Sequence, residues 1–528
     1  MKGTKRKAFF AGVCTAAMMV LSTMAGAAEI TIGAANMREY VDPGRDHSNV
    51  GSMQYINTFN TLIGKDPTKI EPEFRPEIAE SWEMVSPTTM ELKLRKDVVF
   101  HNGDPMTADD VVFSLERVFH PTYAPYVSIS KEYFDNMDRA EKIDDYTVRV
   151  HTKKPDPIIV TLLNVSESMI VPEKYIKGLT GDPDVAEDSD YDAFALAPVG
   201  TGPFMITEFI AGQKLVWERF DAYWGDKPDI AKATVTRINE MAARITALKN
   251  GEVDIITNVP PDQIATIERD SNLKVEGMQT PIFHLVFFNT NNPKMADKRF
   301  RQALALGIDR NLLNEALWYG KARVPEYHTF PQFGELYDPS WSTIEYNPEK
   351  AKRLLQEVGY DGTPLRFDTS ATYYTNGFLA AQAIKEMWAQ IGVTVNLNVD
   401  DRWTGSDGDM EVRNWSNPLY FPDPVGSYGT MWSPTGARIT ANSWTPAKPE
   451  GYASYQELWD KFRFSMDIND RKKYYREIME YVADEAPYSL LYQPYESYGL
   501  RKDVNWKPLP GHIPYVLDFR KGNITVNL

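Results

Sequence analysis

Between residues 89 and 119 the spacing of apolar residues changes from two to about 3.6. The stretch "TMELKLRKDVVF" alternates Met90, Leu92 and Leu94 with polar residues, as a half-buried strand does. "NGDPMTADDVVFSLERVF" then turns at Asn102-Gly103, caps at Thr107 with Asp110 three residues on, and lines up Val111, Val112, Leu115 and Val118 as a helical stripe. The switch recurs along the chain. "DYTVRVHTKKP" is a strand stopped by Pro155, and "EMAARITALKNGEVDII" runs from helix to strand. "YNPEKAKRLLQEVGY" is a helix with Asn347 as cap, Pro348 at its first position and Gly359 just past its end. "FLAAQAIKEMWAQIGVTVNLNV" is a helix, a stop at Gly392 and a strand. Helices and strands interleaved over the whole length specify an α/β fold.

A chain of 528 residues predicts two to four domains. No repeat or low-complexity linker separates them, so direct crossovers are expected to join them. The acidic segment 181–193 reads as a surface loop. "VGTGPF" (199–204) reads as a tight turn at a domain crossover: Pro203 and a following strand leave no helix N-terminus for a phosphate.

The N-terminus has the order of an export signal: a positive "MKGTKRK", an apolar "AFFAGVCTAAMMVLSTM", and small residues in "AGAAE" that place cleavage after Ala27 or Ala28. The signal peptide is therefore expected at residues 1–27 and the protein in the periplasm. The single cysteine, Cys14, sits inside the apolar run rather than at its end, so no lipid anchor is expected. The remaining chain then has no disulfide, no thiolate metal site and no cysteine nucleophile. Loss of Lys2, Lys5, Arg6 and Lys7 takes the net charge from −16 to −20. That balance argues against nucleic acid and anionic membranes as partners.

Motifs for catalysis are missing. The sequence holds no G-x-x-x-x-G-K-[ST], G-x-S-x-G, H-E-x-x-H or C-x-x-C. Its seven histidines are scattered, no two at helical spacing, and read as structural. The acids from Asp182 to Asp192 lack the glycine and closing glutamate of a calcium loop. No metal, no cofactor and no enzymatic activity are expected.

The segment "RPEIAESWEMVSPTTMELKLRKDVVFHNGDPMTADDVVFSLERV" (75–118) resembles the most characteristic region of the family 5 extracellular solute-binding proteins, the peptide/nickel/opine-type receptors of bacterial ABC importers. "APVGTGPFMITEF", "FFNTNNPKMADKRFRQALALGIDR", "YNPEKAKRLLQEVGY" and "AIKEMWAQIGVTVNL" resemble later blocks of the family in the same order. The resemblance implies a two-lobed periplasmic binding protein fold with three domains, a hinge, and a ligand cleft between the lobes. Domain I would comprise 28–62, 200–285 and 495–528, domain II 63–199, and domain III 286–494. It implies capture of a small solute, a peptide or peptide-like molecule, and delivery to a membrane permease by a monomeric receptor. A saccharide or a sugar–amino-acid conjugate (an opine) is the alternative ligand, and an exported hydrolase the remote alternative function.

In peptide-binding members a domain III loop resembling W-x-x-D-Y-x-D-P meets the ligand's amino group with its first aspartate. Here the stretch reads "NWSNPLYFPDP" (414–424). Its three prolines predict a stiff loop, neither helix nor central strand. Asp423-Pro424 matches the closing pair, and Tyr420 falls where the first acid would be. Either Asp407, Asp409 or Glu411 takes the ammonium, or the ligand is not a simple peptide. Candidate ligand-binding residues are Trp415 as a stacking ring, Asn417 as an amide, Tyr420, and Arg413 as a carboxylate fork. Met37, Tyr40 and His47 after the first strand, and Tyr373, Tyr374 and Asn376 before a domain III helix, complete the set.

Overall fold

A computed structural model describes residues 28–45, 48–126, 133–180, 185–371, 374–400, 410–511 and 517–527. The expected signal segment, His47, Tyr373, Asp407 and Asp409 lie outside the described residues.

Three sheets organise the chain, and the class is α/β. A seven-stranded sheet has the order Leu273–Gln279, Tyr495–Arg501, Ile255–Ile256, Ala28–Ala34, Ile230–Arg237, Lys214–Arg219, Phe204–Ile210. Ala28–Ala34 is parallel to both of its neighbours. A four-stranded antiparallel sheet is formed by Ala79–Ser86, Thr89–Leu94, Thr147–Thr152 and Met137–Asp144. Helix Ala108–Phe119 packs on it and buries Val111, Leu115 and Val118. Its Thr107–Asp110 capping box satisfies the orphan donors of its first turn, as the spacing predicts. A five-stranded sheet has the order Val395–Val399, Leu365–Thr369, Val412–Pro418, Ile282–Phe288, Tyr488–Tyr492.

The seven- and five-stranded sheets are joined by two crossings that lie side by side, at 279–282 and 492–495. Thr280 N–H donates to the Pro494 carbonyl (2.9 Å) and Gln493 Nε2 to the Thr280 carbonyl (2.8 Å). Two adjacent extended crossings allow the bodies on either side to rotate with few dihedral changes.

The glycine-rich segment 199–204 is packed hard against the chain at 57–58. A Cβ on Gly200 would lie 2.0 Å from the Thr58 carbonyl oxygen, so only glycine fits. His101 holds the same turn. It accepts from Gly200 N–H at Nδ1 (3.3 Å), and Nε2 lies 2.9 Å from the Gly202 carbonyl, a pairing that the neutral Nε2–H tautomer satisfies. Burial pushes its pKa down to about 4, against the smaller upward pull of the Gly202 bond.

Two segments differ from their sequence-based expectations. Residues 188–193, part of the segment 181–193 read as loop, belong to helix Asp188–Leu196, capped by Glu187 with Asp190 as its reciprocal partner. Acids in a first helical turn are favoured by the backbone dipole, and Asp190 also accepts from Thr180 N–H (2.7 Å). Residues 414–418, part of the stretch 414–424 read as stiff loop, belong to strand Val412–Pro418, the central strand of the five-stranded sheet. Pro418 is tolerated because it is the strand's last residue, and the parallel neighbour stops pairing at Arg413.

Candidate ligand-binding site

Strand Val412–Pro418 runs towards the crossing at 279–282, where Pro418 stands opposite Ile282. The chain then closes a short loop. Leu419 N–H donates to the Pro281 carbonyl (2.8 Å) and Tyr420 N–H to the Gly426 carbonyl (2.8 Å). Asp423 accepts from Val425 N–H (2.9 Å) and forms a buried ion pair with Arg471 (2.9 Å). These bonds fix the loop and project Tyr420 and Phe421 away from their own sheet.

Both rings meet Tyr133, which precedes strand Met137–Asp144 of the four-stranded sheet. Tyr133 lies 6.0 Å from Tyr420 and 5.3 Å, edge-on, from Phe421. Beneath them is a cavity of about 80 Å3 that Tyr420 and Phe421 share with Lys65, Arg75, Glu77, Asn164, Ser166 and Arg520. The seam thus joins the loop of the five-stranded sheet to the four-stranded body and the C-terminal segment.

Its electrostatics are set by burial. Glu77 reaches the site because Gly64 opposite has no side chain; a Cβ there would meet Glu77 Oε2 at 2.4 Å. Glu77 accepts from Asn60 Nδ2 (2.7 Å) and pairs with Arg520 (3.2 Å). Burial opposes the charge on Arg520, but Asp518 and Glu77 outweigh it and raise its pKa. Lys65 has no such support. Burial alone pushes its pKa down to about 8, and no carboxylate among the described residues lies within ion-pair distance of its amine.

A second contact closes the same two bodies further out. Asp156, just after the four-stranded sheet, binds Arg463 on helix Tyr455–Phe464 through two bonds of 2.7 and 2.8 Å, with both side chains inaccessible to solvent. Charged pairs with paired geometry of this kind are the strong ones.

Of the sequence-predicted ligand residues, Tyr420 lines the seam cavity. Arg413, Trp415 and Asn417 alternate onto the other face of their strand and point into their own lobe. Trp415 packs edge-on to Phe287 and under Arg438 at 5.2 Å. Asn417, read as an amide for a ligand, is fully buried: Nδ2 donates to the Ser427 carbonyl (2.9 Å), and Oδ1 accepts from Trp432 Nε1 (3.1 Å). Arg413 is buried opposite Phe287. Met37 belongs to the core under the seven-stranded sheet, and Tyr40 carries Arg45 over its ring at 4.6 Å. Tyr374 lies 4.9 Å from His284, whose pKa burial pushes down to about 3. Asn376 adopts a left-handed backbone (φ 60°) and ties its loop to the Leu317 carbonyl (2.7 Å). Glu411, considered for a ligand ammonium, is engaged by Lys294 (2.6 Å) and Arg366 N–H (2.7 Å).

The sequence reading missed Lys65, Glu77, Tyr133, the Asp156–Arg463 pair and Arg520. Lys65 carries a usable signal: it closes the apolar run "TLIGK" at the mouth of a strand. The rest become neighbours only through the fold. Among the described residues no cluster of His, Cys, Asp and Glu has metal-binding geometry, and no helix is long and apolar enough to cross a membrane.

Comparison with known proteins places this geometry among relatives. The family model for bacterial extracellular solute-binding proteins, family 5 Middle, matches residues 73–438. The probable ABC transporter periplasmic-binding protein SapA of Escherichia coli (strain K12) is 26% identical over 458 residues, spanning 81% of this chain and 80% of that protein. Among solved structures, the periplasmic binding protein DppA from Helicobacter pylori in complex with the peptide STSA superposes with a TM-score of 0.82 at 22% identity, covering 95% of this chain and 98% of that one. AgaA in complex with agropinic acid, from A. tumefacien R10, superposes with a TM-score of 0.75 at 23% identity, covering 95% and 99%.

Proposed function

The chain belongs to the family 5 bacterial extracellular solute-binding proteins, and from that premise we propose that it is the receptor of an ABC importer. It captures a small peptide or peptide-like solute between two lobes and hands it to a membrane permease. The observation that carries this reading is the pair of adjacent crossings at 279–282 and 492–495, with a seam of facing side chains beside them. A hinge next to a closable, partly polar cavity is the mechanical requirement for a solute receptor. Peptide as the ligand class is supported by relatives named as a peptide transport protein and a dipeptide-binding protein, and by the structure solved with the peptide STSA.

The same premise supports the domain division. Domain I (28–62, 200–285, 495–528) follows the seven-stranded sheet, domain II (63–199) the four-stranded sheet, and domain III (286–494) most of the five-stranded sheet. The receptor acts as a monomer in the periplasm after removal of residues 1–27, and it turns nothing over. A sugar–amino-acid conjugate is the second ligand reading. Tyr420 favours it, since that position supplies no anion for an ammonium, and so does the structural likeness to a complex with agropinic acid.

Native mass spectrometry of gently purified protein, followed by a thermal-shift panel of dipeptides, oligosaccharides and opines, tests the reading. A ligand that binds only the folded state raises the melting temperature. A panel member that shifts it and is recovered unchanged supports a receptor; recovery of a cleaved product defeats it.

A further inference from the structure

The seam cavity has a charge left over. Arg520 is neutralised by Glu77 (3.2 Å) and Asp518 (3.4 Å). Glu77 is itself engaged by Asn60 and Arg520. Arg75 flanks the opening from strand Phe74–Pro76, which pairs antiparallel with strand Ile63–Lys65 and sets Arg75 opposite Gly64. Lys65, which lines both this cavity and a smaller one between Tyr420 and Gly511, has no carboxylate among the described residues. An ammonium taken out of water without a counter-ion is costly, so such a group either sheds its proton or receives an anion from outside. The cavity of about 80 Å3 holds several water-sized groups, on a scale where one water needs roughly 10–15 Å3. That admits a carboxylate and a short stem, not a whole dipeptide.

We propose that this cavity is an anion subsite of the receptor, in which Lys65 binds a carboxylate of the captured solute while Tyr420 and Phe421 close over it from the other lobe. The inference rests on the receptor reading and adds a ligand class to it: a solute presenting at least one carboxylate at the seam. Lys65 supplies the charge. Asn164 and Ser166 supply polar lining, and Glu77 keeps Arg520 from competing for the anion. The neutral Tyr420 then suits the subsite, because an acid at that position would repel the ligand it covers.

Two measurements test it. Selective 13C-lysine labelling lets the Lys65 Cε signal, assigned with Lys65→Met, report its protonation. In the wild type that signal is expected to titrate near pH 8 and to move saturably towards higher pKa on adding acetate, but not on adding methylammonium. A Lys65 signal indifferent to acetate overturns the proposal without any knowledge of the natural solute. In the second measurement Ala-Ala and Ala-Phe are compared with their C-terminal amides. The free acids are expected to bind at least about tenfold more tightly, an effect erased in Lys65→Met and recovered in part in Lys65→Arg. Equal binding of acid and amide to the wild type overturns the subsite and leaves the receptor standing. Binding of no peptide, with an intact response to acetate, has the opposite meaning: the subsite stands and the peptide reading falls.

Discussion

Replacing Arg463 with methionine should loosen the closed arrangement of the lobes more than any surface change. The Asp156 carboxylate accepts two bonds from Arg463, one from Asn136 Nδ2 (2.9 Å) and one from Ile158 N–H (3.0 Å). Burial acts to raise its pKa, but Arg463 and these donors outweigh it, and the net direction is down. Without Arg463 the carboxylate keeps two neutral donors and loses the counter-charge that pairs with it among the described residues. Stranding one member of a buried pair costs about 3–5 kcal/mol. Because the pair bridges the two bodies, that penalty falls on the closed form and shifts closure by roughly two to nearly four decades. Asp156→Asn combined with Arg463→Met removes both charges and should restore most of the loss. The assay is small-angle scattering with an inter-lobe dye distance, with and without solute, beside urea unfolding of the same variants. An expanded Arg463→Met that the double variant returns to wild-type dimensions confirms the latch. Wild-type dimensions and an unchanged urea midpoint for Arg463→Met would refute the reasoning. The pH dependence has a definite sign. A depressed carboxylate pKa gives stability that is present above the unfolded aspartate value and lost as pH falls through the folded one.

Other outcomes follow from the same geometry. His284 and His328 are buried and His101 half-buried, all three neutral, with pKa values pushed by desolvation to about 3, 3 and 4. Their contribution to stability is complete above about pH 6.5 and declines below it, by up to about 1.4 kcal/mol per pH unit for each; imidazole NMR signals from these three that titrate between pH 5 and 8 would contradict this. Asn417→Ala leaves Trp432 Nε1 unpaired in the core and takes one of two donors from the Ser427 carbonyl, which keeps Thr430 Oγ1; it should cost about 1–3 kcal/mol in denaturant unfolding, without a direct effect on solute contacts. Trp415→Ala should likewise lower stability, by about 2 kcal/mol for a half-buried ring, while leaving solute affinity in the closed form near that of the wild type.

Local features were legible in the sequence wherever one side chain's neighbours in space are also its neighbours along the chain. The strand at 89–94, the helix at 108–119 with its reciprocal cap, and the helix at 348–357 with Asn347 before it and Gly359 (φ 67°) after it all rest on spacing of a few residues. The strand at 412–418 was hidden by its prolines. Counting them suggested a loop, but Pro422 and Pro424 lie beyond the strand and Pro418 closes it. That misreading had a further consequence. As loop residues, Arg413, Trp415 and Asn417 could all be imagined facing a ligand; as residues i, i+2 and i+4 of a central strand they share one face, which the lobe's own helices cover.

The seam itself could not be read locally, because Lys65, Glu77, Tyr133, Tyr420 and Arg520 are separated by up to several hundred residues. Yet its two halves explain each other. The matched Asp423 is spent on Arg471 and on the turn at Val425, so it shapes the loop rather than meeting a ligand. The loop's next candidate for charge, Tyr420, is neutral, and the cation opposite it, Lys65, is left without a partner among the described residues. A seam built to seat an ammonium would put an acid on the loop and no free amine across from it. Here both terms are reversed, and the loss of the acid at 420 follows from the same requirement as the burial of the amine at 65: the group to be enclosed between them carries negative charge.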